Sequence, residues 1–174
     1  MKSSFLTIFF LVCFSGMAQV DDFQKDIIDF LNINGSRAEY SEAYYEVFPK
    51  LERNFKDKEI PAEAWETLKN DEKQQVDKVL SKLAFAYRKY FTQEDIKEMI
   101  EFYSTSAAQK TLADKTLSEK EEKELKAYLK TDVAKKFDKN RKEIKKDIDV
   151  IAYDWSKELF AAKMKELIKA GYLK

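Results

Sequence analysis

Residues 91–111, FTQEDIKEMIEFYSTSAAQKT, contain the signals of one helix, a corner and the start of a second helix. Thr92 precedes a periodic apolar run and Asp95 follows three residues later, which is a capping-box pattern. The apolar residues keep three- and four-residue spacing, as in one buried stripe: Ile96, Met99, Ile100 and Tyr103. Hydroxyl side chains at 104–106 compete for backbone hydrogen bonds and favour a break. The stretch therefore predicts a helical hairpin around which the other helices pack.

The same pattern returns further along the chain, where Ser118 takes the place of Thr92 and Glu121 that of Asp95. Later positions correspond at the same interval: Thr105 with Thr131, Ala108 with Ala134, and Lys110 with Lys136. A fixed period signals a repeated unit, so one interpretation is a duplicated hairpin. The other is the likeness that any two capped helices share in a chain rich in Lys and Glu.

The segment 91–110 resembles the signature of an uncharacterised bacterial family, the domain of unknown function numbered twenty-fifty-nine. The family pattern has Phe-Thr, acids, an apolar pair, Phe-Tyr, Ser-Pro, a Gly and a Lys. Residues 60–65 and 153–155 are also similar to members, so the resemblance covers most of the chain after the first thirty-odd residues. The chain departs from the pattern at Thr105-Ser106 and at Ala108, which replace Ser-Pro and Gly. The resemblance implies export and a helical fold, and it brings no activity because the family has none assigned.

The segment 1–18 has the pattern of a secretory signal peptide. Lys2 supplies the positive start, residues 5–14 are an apolar core, and Ala18 is a small residue at the cleavage position. We expect cleavage near Ala18 and export to the periplasm or the medium. An uncleaved anchor is the alternative, although the apolar core is short for a bilayer span. A lipoprotein cleaved before Cys13 is a further alternative, but that cut would fall inside the apolar core.

The remainder, residues 19–174, reads as a single all-helical domain because no Pro-, Gly- or Ser-rich linker divides it. Gly35 is placed to end a first helix, and Ser36 with Glu39 predicts a capping box for the next. Pro49 should kink or split that helix near Phe48. The predicted fold class is all-α: an irregular array of about six helices, with a long C-terminal helix from residue 132 to about 170.

The composition excludes several kinds of site. The chain has no His, which removes the commonest general base and the usual zinc ligand. Its single Cys lies in the predicted signal peptide. Only two glycines, Gly35 and Gly171, follow that segment, so the sequence contains neither a glycine-rich phosphate-binding motif nor a calcium-binding loop motif. We therefore expect no cofactor and no metal. A balanced charge, with 32 basic and 32 acidic residues, does not favour nucleic acid as a partner.

Aromatic residues give the candidate contact site: Tyr40, Tyr44, Tyr103 and Trp155. Tyr40 and Tyr44 stand four apart on one helix face and could stack a ligand. The alternative is the edge of a core, with their hydroxyls in water.

Residues Lys135–Lys146 are rich in Lys and Arg. The segment could make peripheral contact with an anionic lipid head group, or be a solvated face with ion pairs along the helix. No membrane span is expected after signal cleavage.

Carboxylates are the remaining source of chemistry. Asp147 and Asp154 are seven apart in the sequence and share a helix face, so a buried pair could serve acid–base catalysis. The alternative is pairing with a basic residue of a neighbouring helix, such as Arg88 or Lys89.

Three functional hypotheses follow. The first is a non-enzymatic, exported helical module that binds another envelope or exported protein. The second is a small-molecule or lipid carrier, with the four aromatic residues lining a pocket between helices. The third is a hydrolase that uses carboxylates alone.

Overall fold

The computed structural model describes residues 21–173, which form nine helices and no strand in that range. Their bounds are α1 Asp22–Ile33, α2 Ser36–Tyr45, α3 Val47–Asn54, α4 Ala62–Leu68, α5 Glu72–Tyr87, α6 Gln93–Tyr103, α7 Ser106–Leu112, α8 Glu119–Tyr128 and α9 Asp132–Lys169. The prediction of an all-α array with a long C-terminal helix is confirmed. Helix α9 has 38 residues, or about 57 Å at the usual rise per residue. The predicted signal peptide lies outside the described residues.

Short corners divide residues 21–173 into more helices than the expected six or so. One of them separates α2 from α3 at Glu46. Pro49 explains this break, because it has no N–H to donate to the carbonyl of Tyr45. The break falls just before the predicted position, since the missing bond lies one helical turn upstream of the proline.

The end of α1 and the start of α2 show one confirmed signal and one wrong one. Gly35 adopts φ 94°, the left-handed conformation that a glycine accepts without strain. The predicted capping box of Ser36 with Glu39 is wrong. Gly35 itself takes the N-cap position, and Ser36 is already helical, with its N–H donating to Asn34 Oδ1 at 3.0 Å.

Helix α5 forms the centre of the fold and packs against α1, α2 and α9. Helix α1 also contacts α6, and α9 also contacts α3 and α6. The largest fully buried apolar side chains come from six helices: Ile27, Phe30, Leu31, Tyr44, Phe48, Leu51, Leu80, Leu83, Ile96, Met99 and Leu159. Burying each of these contributes about 1.5–3 kcal/mol. Within residues 21–173, no helix combines the length and the apolarity that a membrane crossing needs.

Helices α6 and α8 begin in the same way, as the two-fold occurrence of the sequence pattern predicts. Thr92 accepts from the Asp95 N–H while the Asp95 carboxylate accepts from the Thr92 N–H. Ser118 and Glu121 repeat this capping box. The next helix in each case, α7 or α9, has a threonine as its N-cap: Thr105 and Thr131, at equivalent positions of the repeat. We call residues 92–112 the first hairpin and residues 118–138 the second hairpin.

The two hairpins contact each other reciprocally. Lys110 Nζ of the first lies 2.8 Å from the Glu121 carboxylate of the second. The equivalent Lys136 of the second pairs with Asp95 of the first. Phe102 stacks on Tyr128, its own counterpart in the repeat, with ring centroids 3.7 Å apart and planes 4° from parallel. Such an exchange of equivalent partners is the contact pattern of two units related by a two-fold axis.

Candidate functional site

The four residues that the sequence nominated for ligand or partner contact lie in two places. Tyr40 and Trp155 pack edge to face with centroids 5.4 Å apart, and both are buried. Burial raises the pKa of the Tyr40 hydroxyl to about 12. Tyr44 is fully enclosed. Tyr103 packs instead on Phe30, with centroids 5.4 Å apart. Trp155 and Tyr103 line two separate cavities.

Tyr44 belongs to a buried polar cluster that joins α2, the start of α5 and α9. Its hydroxyl donates to Asp71 Oδ1 at 2.6 Å, and Lys163 Nζ lies 2.7 Å from the same oxygen. Gln75 Nε2 donates to the other Asp71 oxygen at 2.7 Å. The Lys163 side chain is only 1% exposed, and Glu166 supplies a second carboxylate at 3.2 Å. A buried ammonium group is stable here because two carboxylates surround it.

The protonation states in this cluster are fixed rather than poised. Burial and the hydrogen bond to Asp71 raise the pKa of the Tyr44 hydroxyl far above its ordinary value. Burial alone would raise the pKa of Asp71, but the hydrogen bonds from Lys163, Tyr44 and Gln75 outweigh it and hold the pKa below its ordinary value. The carboxylate therefore stays ionised and the hydroxyl stays protonated. We call this cluster of Tyr44, Asp71, Gln75, Lys163 and Glu166 the polar lock, because its hydrogen bonds and ion pairs connect α2, α5 and α9.

A wide groove of about 1010 Å³ runs between α5 and α9 beside this cluster. Trp155 lies in its wall and donates from Nε1 to the Gln75 carbonyl at 3.1 Å. Lys82 Nζ and Glu158 Oε2 meet at 2.8 Å between the two helices. Most of the other lining side chains are polar or charged. The groove is large, but most of the polar side chains that line it already have partners, among them Asp71, Asp77 and Lys82. It therefore offers few groups that a ligand could recognise.

A second cavity of about 430 Å³ has the features of a ligand site, and we call it the aromatic pocket. It lies between α1, α6, the end of α8 and the start of α9. Its wall is mostly apolar, with Leu129 as the exposed member: Phe30, Met99, Tyr103, Tyr128, Leu129, Ala134 and Phe137. Its exposed mouth is charged: Lys135, Asp138, Lys139 and Arg141. This volume is within the range of roughly 300–1,000 Å³ for small-molecule sites.

Tyr103 and Tyr128 are the polar groups of the pocket wall. Burial raises the pKa of both hydroxyls, and the effect on Tyr128 is the larger of the two. Both therefore remain protonated donors. Within residues 21–173 neither hydroxyl hydrogen-bonds to another residue, although both side chains line the cavity. They are available to a ligand.

The outward face of α9 carries a different surface, the outer strip, made of Lys142, Lys145, Lys146, Asp149, Val150 and Tyr153. Val150 is 55% exposed and Tyr153 is 68% exposed. Lys145 pairs with Asp149 at 2.7 Å. In the described part of the chain, Lys142 and Lys146 form no ion pair. The strip is basic toward the start of α9 and apolar toward its middle.

The two carboxylates that the hydrolase hypothesis requires, Asp147 and Asp154, lie in different surroundings. Asp147 accepts from Lys89 Nζ at 3.0 Å and from the Tyr90 hydroxyl at 2.9 Å. These two hydrogen bonds hold the pKa of Asp147 below its ordinary value, the opposite of what a general acid requires. Asp154 is exposed. Among residues 21–173, no three or more Asp or Glu side chains are grouped so as to hold a metal ion.

Two features of these sites were missed in the sequence. Tyr128 is not among the contact residues predicted from the sequence. The repeat makes it the counterpart of Phe102, which is next to Tyr103, so the repeat was a signal that could have identified it. Lys163 was also missed, although it lies midway between Leu159 and Leu167, one helical turn from each. A lysine within an apolar stripe at that spacing is expected to face the core. That signal could have identified Lys163 as a buried polar residue, although not its partners.

Comparison with known proteins gives one match. No curated protein and no solved structure is significantly similar to the chain. Residues 77–115 match the model of a family described as an uncharacterized protein conserved in bacteria (DUF2059). The match includes the whole first hairpin and is narrower than the coverage expected from the sequence. The resemblance of the hairpin to that bacterial family is thereby confirmed over residues 77–115.

Proposed function

We propose that the chain is an exported, non-enzymatic binding module that docks on another envelope or exported protein. The observation that carries this proposal is the outer strip of α9. Val150 and Tyr153 remain more than half exposed there, next to lysines without ion partners in the described range. Exposed apolar side chains grouped on one face mark an interaction surface more often than scattered ones do.

The composition of the strip indicates the chemistry of its partner. Three lysines face one aspartate, so an acidic surface would complement the basic part. Tyr153 offers an aromatic side chain, a residue type that dominates the energetics of protein interfaces. The partner surface we expect is an acidic segment with an apolar residue beside it.

A protein partner fits this strip better than a membrane does. A helix that lies in a membrane interface inserts a broad apolar face. The broad apolar face of α9, with Ile144, Trp155 and Leu159, is buried in the core instead. Only Val150 and Tyr153 are left to insert from the strip, while two exposed apolar contacts suit the edge of a protein interface.

The direct test is site-specific photocrosslinking in the native host. A photoreactive residue replaces Tyr153, and a matched control carries it at Glu63, an exposed position on α4. We expect one adduct of defined mass at position 153 and none at 63. Lys145→Glu with Lys146→Glu should reduce the adduct about tenfold, because rim charges steer association. The cell fraction that holds the adduct tests export, and a mature N-terminus at Gln19 tests cleavage.

Two outcomes would refute the proposal. One is equal labelling at positions 153 and 63. The other is crosslinking to lipid, together with binding to phosphatidylglycerol vesicles that the two lysine substitutions abolish. The second result would assign the basic segment Lys135–Lys146 to a membrane surface.

A further inference from the structure

We propose that the aromatic pocket binds a single-chain amphiphile with an anionic head group. The chain would lie against Phe30, Met99 and Tyr128, and the head group would meet Lys135, Lys139 and Arg141. This assignment concerns a different surface from the outer strip and does not depend on it.

The walls select an apolar chain. Phe30 and Met99 form the inner end and are 2% and 1% exposed. Phe137 and Tyr128, both half-buried, also line the cavity. Phe102 stacks flat on Tyr128 from outside, which holds that ring in place and so fixes the shape of the cavity. A preformed apolar cavity of this kind gains affinity because little ordering is required on binding.

The mouth selects negative charge. It carries three cationic side chains and one carboxylate, Asp138. Lys135 and Arg141 have partners only in exposed pairs, with Asp132 at 3.3 Å and Asp138 at 3.5 Å. Exposed pairs of this kind contribute about 0–1 kcal/mol, so an incoming anion can replace them at small cost. Ala134 and Lys135 lie in the first turn of α9, where the helix dipole also favours an anion.

The hydroxyls of Tyr103 and Tyr128 complete the match. Each is a protonated donor that lines the cavity, and within residues 21–173 neither has a protein partner. A carboxylate or phosphate oxygen at the mouth could accept from either. A cationic head group would face three positive charges, and a neutral chain would leave the mouth unused.

Calorimetric titration of the mature protein tests the ligand class with four probes of equal chain length. They are dodecanoate, dodecyl phosphate, dodecan-1-ol and dodecyltrimethylammonium. The three charged probes are used below their micelle concentrations and dodecan-1-ol below its solubility limit. We expect Kd on the order of 10 µM for the anions, and binding at least about tenfold weaker for the other two. Both anions share the proposed chemistry, and the tighter one distinguishes a fatty carboxylate from a phosphate lipid.

Variants locate the site. Ala134→Phe fills the pocket, and we expect it to weaken dodecanoate binding at least about tenfold. Because that change could disturb the first turn of α9, a second variant leaves the wall intact: Lys139→Glu with Arg141→Glu, both exposed. Its matched control is Lys157→Glu with Lys165→Glu, which reverses two exposed charges elsewhere on the same helix. The control should bind within about twofold of the unmodified protein.

The NMR spectrum of tyrosine-labelled protein gives an independent readout. Dodecanoate should shift the Tyr103 and Tyr128 signals and leave Tyr153 unchanged. The proposal is overturned if neither anion binds, if dodecan-1-ol binds as tightly as dodecanoate, or if the mouth variant binds like its control. None of these results bears on the crosslinking at Tyr153, so the two proposals fail separately.

Discussion

Helices α6 and α8 start with the same capping box and lead into the same kind of threonine-capped corner, but they differ in what they bury. Helix α6 buries Ile96 and Met99, which are 0% and 1% exposed. Their counterparts in the repeat are Glu122 and Leu125, and no residue of α8 is buried. The comparison shows that local capping fixes where a helix begins, whereas apolar burial decides how firmly it is held.

The consequence is an expected difference in stability between the two hairpins. Helix α6 packs on α1 and α9, while the main neighbour of α8 is α7. Helix α8 is held by the Phe102–Tyr128 stack and by polar contacts to Glu121. Regions with few buried apolar contacts open locally at a lower free energy than the whole domain. Four predictions test this difference, starting with the largest effect.

Truncating equivalent apolar side chains should separate the two helices most clearly. Met99→Ala removes a fully buried side chain, so we expect it to lower the free energy of unfolding by about 2–5 kcal/mol. Leu125→Ala at the equivalent position should cost less than about 1 kcal/mol, because Leu125 is only half-buried. Urea unfolding followed by circular dichroism measures both. Equal losses would show that α8 is as much a part of the core as α6.

Removing the caps should give a smaller contrast. Thr92→Ala should lower the free energy of unfolding by about 0.5–2 kcal/mol, since α6 unfolds with the core. Ser118→Ala removes the same kind of hydrogen bond, but we expect it to change the global value little and to speed amide exchange across α8 instead. Hydrogen exchange read by mass spectrometry distinguishes the two. If Ser118→Ala lowers global stability as much as Thr92→Ala, α8 does not open separately.

These caps were also the part of the fold that the sequence predicted best. A capping box depends on side chains that are close neighbours in the sequence, so its pattern is visible without the tertiary structure. The Ser36 prediction failed because a local pattern met a stronger local constraint, the left-handed Gly35 just before it. The pairing of Lys110 with Glu121 could not be predicted, since it depends on how two hairpins pack.

The candidate sites follow the same rule. The sequence identified Tyr103 and the basic segment Lys135–Lys146 separately. It could not show that Tyr103 and the start of that segment line the same cavity. The two are far apart in the sequence and come together only in the tertiary structure. The polar lock also joins distant residues, Tyr44 and Lys163, and needed the structure to be recognised.

Acid should loosen α8 before it affects α6. Hydrogen bonds from Lys110, Ser118 and Ser106 lower the pKa of Glu121 from 4.5 to about 2. Since the folded pKa is the lower one, the stabilisation is complete above about 4.5 and is lost as the pH falls toward about 2. Amide exchange in α8, corrected for the intrinsic effect of pH, should therefore show weaker protection at about pH 3 than at about pH 6. Glu121→Gln should remove this dependence, and Glu124→Gln on the same helix should retain it.

The smallest expected effect concerns the two reciprocal ion pairs. Double-mutant cycles on Lys136 with Asp95 should give a coupling of about 0–1 kcal/mol in global stability, as for other partly exposed pairs. The cycle on Lys110 with Glu121 should give a coupling that is visible only in the local opening of α8. A global coupling of the same size for both pairs would mean that the two hairpins unfold as one unit.

The polar lock also has a consequence for the chemical reactivity of the chain. Acylating reagents modify lysines through the free amine, which must be reachable and must release a proton first. The Lys163 amine is enclosed and held between Asp71 and Glu166, so it should be acylated only when α9 leaves the rest of the fold. The rate at which Lys163 is acylated, compared with that of exposed Lys157, would report how often the C-terminal half of α9 detaches. No label has to be introduced, because the native lysine is itself the probe.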